Sequence, residues 1–139
     1  MRKLSVRQKS ISMAVLTILV ITIIFANSVL SMEQSGKISS MVTAWLTPFF
    51  GIVLTEHFVR KLAHIIEYFV LGIFLTLFFR KVSVKPFFSA LLIAVIDESL
   101  QIVSHRGSSL IDVWIDFISA AVGICLVLAI KKVCGQKFK

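Results

Sequence analysis

Four apolar segments, each about as long as a helix that crosses a lipid bilayer, dominate this chain. They cover residues 10–30, 58–79, 86–103 and 110–130. A transmembrane helix needs roughly 20 apolar residues to cross about 30 Å of hydrocarbon. Because lipid offers the backbone no hydrogen-bond partners, each segment must pair its own amides and carbonyls as an α-helix. We therefore predict a single all-α domain over residues 1–139, an integral membrane bundle of four transmembrane helices.

The composition supports a membrane protein and weakens one alternative. The chain is 58% hydrophobic and only 16% charged, whereas a soluble domain is about 45–50% apolar and about 25% charged. The net charge of +8 would suggest a nucleic-acid partner in a soluble protein. Here the basic residues lie at the ends of the apolar segments, where they set topology instead. We expect no nucleic-acid partner.

The distribution of charge predicts the orientation of the bundle. Most basic residues fall before the first segment, between the second and third, and after the fourth. By the positive-inside rule, both termini are then cytoplasmic. All 7 acidic residues fall in the outer half. The first segment could instead be a cleaved signal peptide, with Ala26-Asn27-Ser28 as the cleavage site. Its apolar run is longer than that of a usual signal peptide, and we expect it to be retained.

The outer loop between the first two segments carries an amphipathic pattern. Residues 37–50 have apolar side chains at helical spacing, and Pro48 and Gly51 follow near the end of the pattern. This favours an amphipathic helix at the outer interface, with Trp45 at the level of the headgroups. The alternative is an irregular loop that packs on the helix ends.

Ionisable residues inside the apolar segments are the main indication of function. In the second segment, Arg60, His64 and Glu67 share one helical face, with Lys61 and Tyr68 on a neighbouring stripe. The link between the third and fourth segments is short, so these two helices should be antiparallel neighbours, with Ser108 or Ser109 as N-cap. Further polar residues flank this link: Asp97, Glu98, Gln101, Arg106, Asp112 and Asp116.

The topology brings these polar faces to one depth, in the outer leaflet. A buried charge costs about 2.5–3.5 kcal/mol even on lenient insertion scales, so the side chains must meet one another or a ligand. Three uses remain open. The basic and amide donors could bind a lipid phosphate. The carboxylates and His64 could hold a hard cation or carry out acid–base chemistry. Alternatively, the ion pairs could only lock the helices together.

The spacings argue against several kinds of site. Cys125 and Cys134 have no partner at metal-ligand spacing, and no glycine-rich phosphate loop occurs. His64-x-x-Glu67 resembles a metal-ligand pair only weakly. We therefore predict no bound metal and no cofactor. If the protein were an enzyme, His64, Glu67, Asp97 and Glu98 would be the catalytic candidates.

The polar blocks resemble a known family. Arg60-Lys61-x-x-His64-x-x-Glu67-Tyr68, Asp97-Glu98-x-x-Gln101, Arg106 and Asp112-x-x-x-Asp116 occur in the order seen in the VanZ-like family of bacterial membrane proteins, followed by Gly123. The resemblance covers about residues 27–130 and includes the serine-rich stretch from Asn27 to Ser40. Asp116 departs from the pattern, since many members have Asn there.

The resemblance implies a multi-pass protein of the bacterial plasma membrane. The founding member of the family is associated with low-level resistance to the glycopeptide antibiotic teicoplanin, and the family supplies no reaction to carry over. We therefore expect an envelope protein, more readily a binding protein than an enzyme, that binds an anionic lipid or a lipid-linked cell-wall precursor. The rival hypothesis is an enzyme acting on a lipid phosphate or pyrophosphate. Ion transport fits less well, because the polar residues stop in the outer half.

Overall fold

Five α-helices joined by short links make up the part of the chain that the structure describes. In this computed structural model, that part comprises residues 6–51, 54–105, 107 and 109–135. The helices are α1 (Val6–Val29), α2 (Met32–Phe50), α3 (Glu56–Phe79), α4 (Lys85–Val103) and α5 (Leu110–Val133). The all-α prediction is confirmed, and each predicted apolar segment coincides with one helix to within a few residues.

Four of these helices are long and apolar enough to cross a membrane. They are the stretches Ser10–Val29, Glu56–Phe79, Lys85–Val103 and Leu110–Val133. Their outward faces expose large apolar side chains such as Phe88, which is 73% exposed. Such a surface suits lipid rather than water. The cytoplasmic placement of both termini stays a prediction from the charge distribution.

Helix α2 is longer than the amphipathic helix that the sequence predicts. It begins at Met32 because Ser31 and Gln34 form a capping box. The Ser31 hydroxyl accepts a hydrogen bond from the backbone N–H of Gln34, and the Gln34 side chain accepts one from the backbone N–H of Ser31. It runs through Pro48 and ends where Gly51 adopts a left-handed φ of 65°. Because Pro48 lies in the last turn, its missing N–H interrupts little of the helix. The interfacial position of α2 stays a prediction.

The core lies between α1, α3, α4 and α5. Its fully buried members include Ile24 of α1, Leu71 of α3, Ala94 of α4 and Ala120 of α5. The first helix is thus part of the packed bundle, since Ile24 is enclosed by the other three spans. Helix α2 stays outside this core and packs against α3.

Helices α3 and α5 make the most extensive helix–helix contact. Gly72 and Gly123 lie at this contact, and a Cβ on either would overlap the backbone of the other helix at Ala120 or Phe69. Small residues allow such close approach in membrane bundles. The two helices run in the same direction, because Lys61 meets Asp112 near one end and Gly72 meets Ala120 further along.

One end of the bundle gathers most of the predicted polar residues. It is formed by the last turns of α1 and α4 and the first turns of α3 and α5, and is here called the polar end. Ser28, Lys61, Gln101 and Asp112 mark it. Hydrogen bonds from Ser28 to Asp97 and from Asn27 to Glu67 tie α1 to α4 and α3 there.

Enlarging Gly123 should separate α3 from α5. We expect Gly123→Ala to destabilise the protein by roughly 1–3 kcal/mol, the usual cost of overpacking, although Ala is the better helix former. Gly36→Ala is the matched control, because the added Cβ on α2 meets only Glu56 Oε2 at 3.5 Å. Thermal unfolding in detergent measures both. Equal melting temperatures for the two variants would show that the contact is not tightly packed.

Candidate functional site

A cavity of about 80 Å³ opens at the polar end between α3, α4 and α5. Much of its lining was predicted from the sequence: Arg60, Lys61, His64, Glu98, Gln101, Asp112 and Asp116. These side chains come from three consecutive helices, α3, α4 and α5. The expectation that the polar faces meet at one depth therefore agrees with the packing of the helices.

A second cavity of about 130 Å³ lies on the other side of α3, against α1 and α2. Arg60 and His64 line both cavities. Glu67 lines only the second of them, where its Oε1 accepts a hydrogen bond of 2.5 Å from the amide nitrogen of Asn27. Glu67 thus lines a different cavity from Asp112 and Asp116, with which the sequence grouped it.

Asp97 is the centre of the polar network. It is fully buried, with Ser28 Oγ donating to Oδ1 at 2.5 Å and Gln101 Nε2 donating to Oδ2 at 3.5 Å. His64 Nδ1 lies 3.8 Å from Oδ2. Three helices therefore hold this one carboxylate in position. Such support suits a side chain whose orientation matters, because each donor limits the rotamers that Asp97 can adopt.

Asp116 and Tyr68 lie beside Asp97 in the interior. Asp116 is only 3% exposed and makes no hydrogen bond or ion pair with the other described residues, yet it lines the first cavity. Tyr68 is fully buried. Its hydroxyl is directed at Asp97 without reaching a hydrogen bond of good geometry to any described residue. Polar groups buried this way are unfavourable unless something further satisfies them.

Two acidic residues at the rim have structural partners. Lys61 Nζ pairs with Asp112 Oδ1 at 2.8 Å across α3 and α5. Both side chains are partly exposed, so the pair contributes little more than about 1 kcal/mol. Glu98 Oε2 accepts the backbone N–H of Ser109 at 3.1 Å, while the Ser109 side chain accepts that of Ile111. Ser109 is thus the N-cap of α5, one of the two predicted candidates.

Arg60 forms no salt bridge with the described residues. Its Nη1 donates to Met32 Sδ at 3.3 Å, and its Nε is buried with no hydrogen-bond acceptor among them. A guanidinium has five N–H donors, so most of its hydrogen-bonding capacity stays available to a ligand. Arg106, the other predicted arginine of the site, lies outside the described residues.

Three residues of this region were not in the predicted site. Asn27 and Ser28 bind carboxylates of α3 and α4, and His57 lines the first cavity beside Arg60. In the sequence, Asn27 and Ser28 stand out as a polar pair at the end of an apolar segment. The same two residues also fit a signal-peptide cleavage site. His57 lies at helical spacing from Lys61 and His64, on the same side of α3.

The arrangement combines an anion-binding side and an acidic side in one small cavity. His57, Arg60 and Lys61 supply cationic or donor groups near the opening. His64 and Asp116 also line this cavity, and the fully buried Asp97 lies beside them, with one nitrogen or oxygen from each of the three within 4.8 Å of the others. Such a set can bind a charged ligand, transfer protons or hold a cation.

Removing the Ser28 hydroxyl should weaken the link between α1 and the polar end. We expect Ser28→Ala to destabilise the bundle by about 1–3 kcal/mol, because the buried Asp97 carboxylate loses a donor. Ser119→Ala is the control, since that hydroxyl donates only to Ile115 O of its own helix. The melting temperatures of the two purified variants are compared. If Ser28→Ala and Ser119→Ala have the same melting temperature, the hydrogen bond from Ser28 to Asp97 does not stabilise the fold.

Comparison with known proteins identifies the family of this chain. The family model VanZ/LLP1 matches residues 13–131, which include α2, α3 and α4 entirely, nearly all of α5 and the part of α1 from Met13 onward. Neither a curated protein nor a solved structure matches the chain. The match contains all the residues of both cavities, and it agrees with the order of polar blocks in the sequence. The chain belongs to the VanZ/LLP1 family of membrane proteins.

Proposed function

We propose that this protein binds the anionic phosphate of a lipid or lipid-linked cell-wall precursor in the cavity between α3, α4 and α5. The observation that carries the proposal is Arg60. Its guanidinium lines both cavities, has no salt bridge among the described residues and keeps a buried Nε without an acceptor there. Guanidinium groups match phosphate oxygens in planar, bidentate hydrogen bonds.

The surroundings of Arg60 also favour a phosphate. Lys61 and the imidazoles of His57 and His64 line the same cavity, so several donors face one space. The cavity volume of about 80 Å³ is several times the roughly 10–15 Å³ that holds one water molecule on the same measure. The cavity therefore has room for a small polar group such as a phosphate. The acyl chains would then lie along the exposed apolar faces of the spans.

The cellular setting of this proposal comes from topology and family. The positive-inside rule predicts that the polar end faces the outer leaflet of a bacterial plasma membrane. Lipid-linked cell-wall precursors are used at that face, and teicoplanin acts on them there. A protein that binds the headgroup of such a precursor competes with the antibiotic. Low-level resistance of the teicoplanin type is the phenotype that we expect from this binding.

A second candidate function is an enzyme that acts on a lipid phosphate or pyrophosphate. It is favoured by the convergence of His64, Asp97 and Asp116 beside the basic side chains, because acid–base groups next to bound phosphate suit hydrolysis. Release of inorganic phosphate from a short-chain lipid phosphate tests it. Turnover that is lost in His64→Gln or Glu67→Gln supports the enzyme; absence of turnover supports the binding protein.

Arg60→Ala should reduce the affinity for anionic phospholipid about 10-fold to 100-fold. A hydrogen bond to a charged group contributes about 1.5–3 kcal/mol, and each 1.4 kcal/mol is tenfold in affinity. Native mass spectrometry in nanodiscs of phosphatidylcholine doped with undecaprenyl phosphate or phosphatidylglycerol measures bound lipid. Phosphatidylcholine supplies the zwitterionic reference, and the two dopants compare a precursor carrier with an ordinary anionic lipid.

Lys81→Ala is the matched control for this measurement. Lys81 is an exposed basic residue in the link between α3 and α4, at the end of the bundle opposite the site. Like Arg60→Ala, the substitution Lys81→Ala removes one positive charge, but Lys81 lines neither cavity. We expect it to bind lipid like the unmodified protein. Equal retention of anionic lipid by Arg60→Ala and Lys81→Ala contradicts the proposed function.

A further inference from the structure

Three potential metal ligands converge beside the first cavity, which His64 and Asp116 line. His64 of α3, Asp97 of α4 and Asp116 of α5 each present one nitrogen or oxygen, and these atoms lie within 4.8 Å of one another. Each helix contributes a single ligand, so no local sequence motif marks the group. The expectation of no bound metal was based on local spacing alone, and the packing of the helices gives a reason to revise it.

The donor set has the chemistry of a divalent metal site. Ligand nitrogens and oxygens lie about 2.0–2.2 Å from zinc, so donors around one such ion lie roughly 3–4 Å apart. The His64 Nδ1–Asp97 Oδ2 separation of 3.8 Å lies in this range, and the ligand atoms of all three residues lie within 4.8 Å of one another. Imidazole suits first-row transition metals, while carboxylates suit harder ions such as Mn²⁺. One imidazole with two carboxylates therefore fits Zn²⁺ or Mn²⁺.

Asp116 provides a separate indication that something binds here. It is 3% exposed, lines the cavity and has no hydrogen-bonding or ionic partner among the described residues. A buried carboxylate is costly to keep without a compensating cation or donor. The buried Tyr68 hydroxyl, which lacks a well-formed hydrogen bond within the same set of residues, faces this group as well. A bound cation accounts for the carboxylate.

The neighbours of Asp97 support the same reading. Ser28 binds one of its oxygens and Gln101 approaches the other, and hydrogen bonds to a ligating carboxylate are a usual part of a metal site. Among the described residues, the basic side chains that line the cavity do not neutralise Asp116. Lys61 pairs with Asp112 at the rim, and Arg60 forms no salt bridge within that set of residues.

We propose that His64, Asp97 and Asp116 together bind one divalent ion, Zn²⁺ or Mn²⁺, beside the cavity between α3, α4 and α5. Three protein ligands leave a coordination position open, as in catalytic zinc sites, and two of these ligands, His64 and Asp116, line the cavity. The metal site does not depend on the proposed function. Contact between the ion and a lipid phosphate does rest on that function, because it requires the phosphate to occupy this cavity.

Titration of the full-length protein with metal tests the site. The protein is purified in a neutral maltoside detergent, stripped with a chelator that is then removed, and titrated by calorimetry with Zn²⁺ and, separately, Mn²⁺. We expect one ion per chain for at least one of the two metals. Asp116→Asn and His64→Gln should each weaken binding at least about tenfold, the loss that even outer-shell changes produce.

Glu33→Gln is the matched control. It removes an exposed carboxylate of α2 that pairs with Lys37 and lines neither cavity. We expect its affinity to stay close to that of the unmodified protein. Helical circular dichroism and size-exclusion profiles establish that each variant is folded. His64→Gln, whose side chain is partly accessible, keeps the test decisive if Asp116→Asn does not fold.

Two results overturn the metal site. One is the absence of stoichiometric binding of both ions to the unmodified protein. The other is binding that the ligand variants and the control Glu33→Gln weaken equally, or that none of them weakens. Because the titration uses no phospholipid, its outcome is separate from that of the lipid measurement. Arg60→Ala should lose lipid but keep the ion, whereas Asp116→Asn should lose the ion in detergent whether or not a lipid binds.

Discussion

The close contact between α3 and α5 determines where the functional side chains meet. Gly72 and Gly123 let the two backbones approach so nearly that no Cβ fits between them. Because the helices run in parallel from this contact, side chains one to three turns nearer the polar end face each other in register. Lys61 meets Asp112, and His64 comes into reach of Asp116. A wider separation would place these polar groups in lipid, where they would lack partners.

Hydrogen bonds of the polar network then hold α1 and α4 against this pair of helices. Asp97 of α4 is held from α1 by Ser28 and from its own helix by Gln101, and Asn27 of α1 holds Glu67 of α3. A purely structural network would satisfy its members, because buried ion pairs stabilise only when their hydrogen bonds are complete. Here Asp97 is well supported, while Asp116 and the Arg60 Nε are buried without partners among the described residues. This asymmetry is typical of a ligand-binding site.

The sequence was most informative where hydropathy and helical period decide the outcome. Four apolar runs predicted the four spans, and the spacing of Arg60, His64 and Glu67 predicted a shared polar face on α3. It was least informative about which helix faces which. Rotation of α3 turns Glu67 towards Asn27 and away from Asp116, and this depends on packing at Gly72 and Gly123. The His64–Asp97–Asp116 group depends on the same packing, so spacing along one helix could not reveal it.

We infer that Asp116, a buried carboxylate with no partner among the described residues, is kept for binding rather than for stability. The melting temperature of Asp116→Asn, measured against the unmodified protein in a metal-chelating, lipid-free detergent buffer, tests this most directly. The account predicts that Asp116→Asn melts at a higher temperature, because an Asn side chain needs neither a proton nor a counter-charge to be buried beside Asp97. A lower melting temperature would contradict the account and identify Asp116 as part of a structural lock.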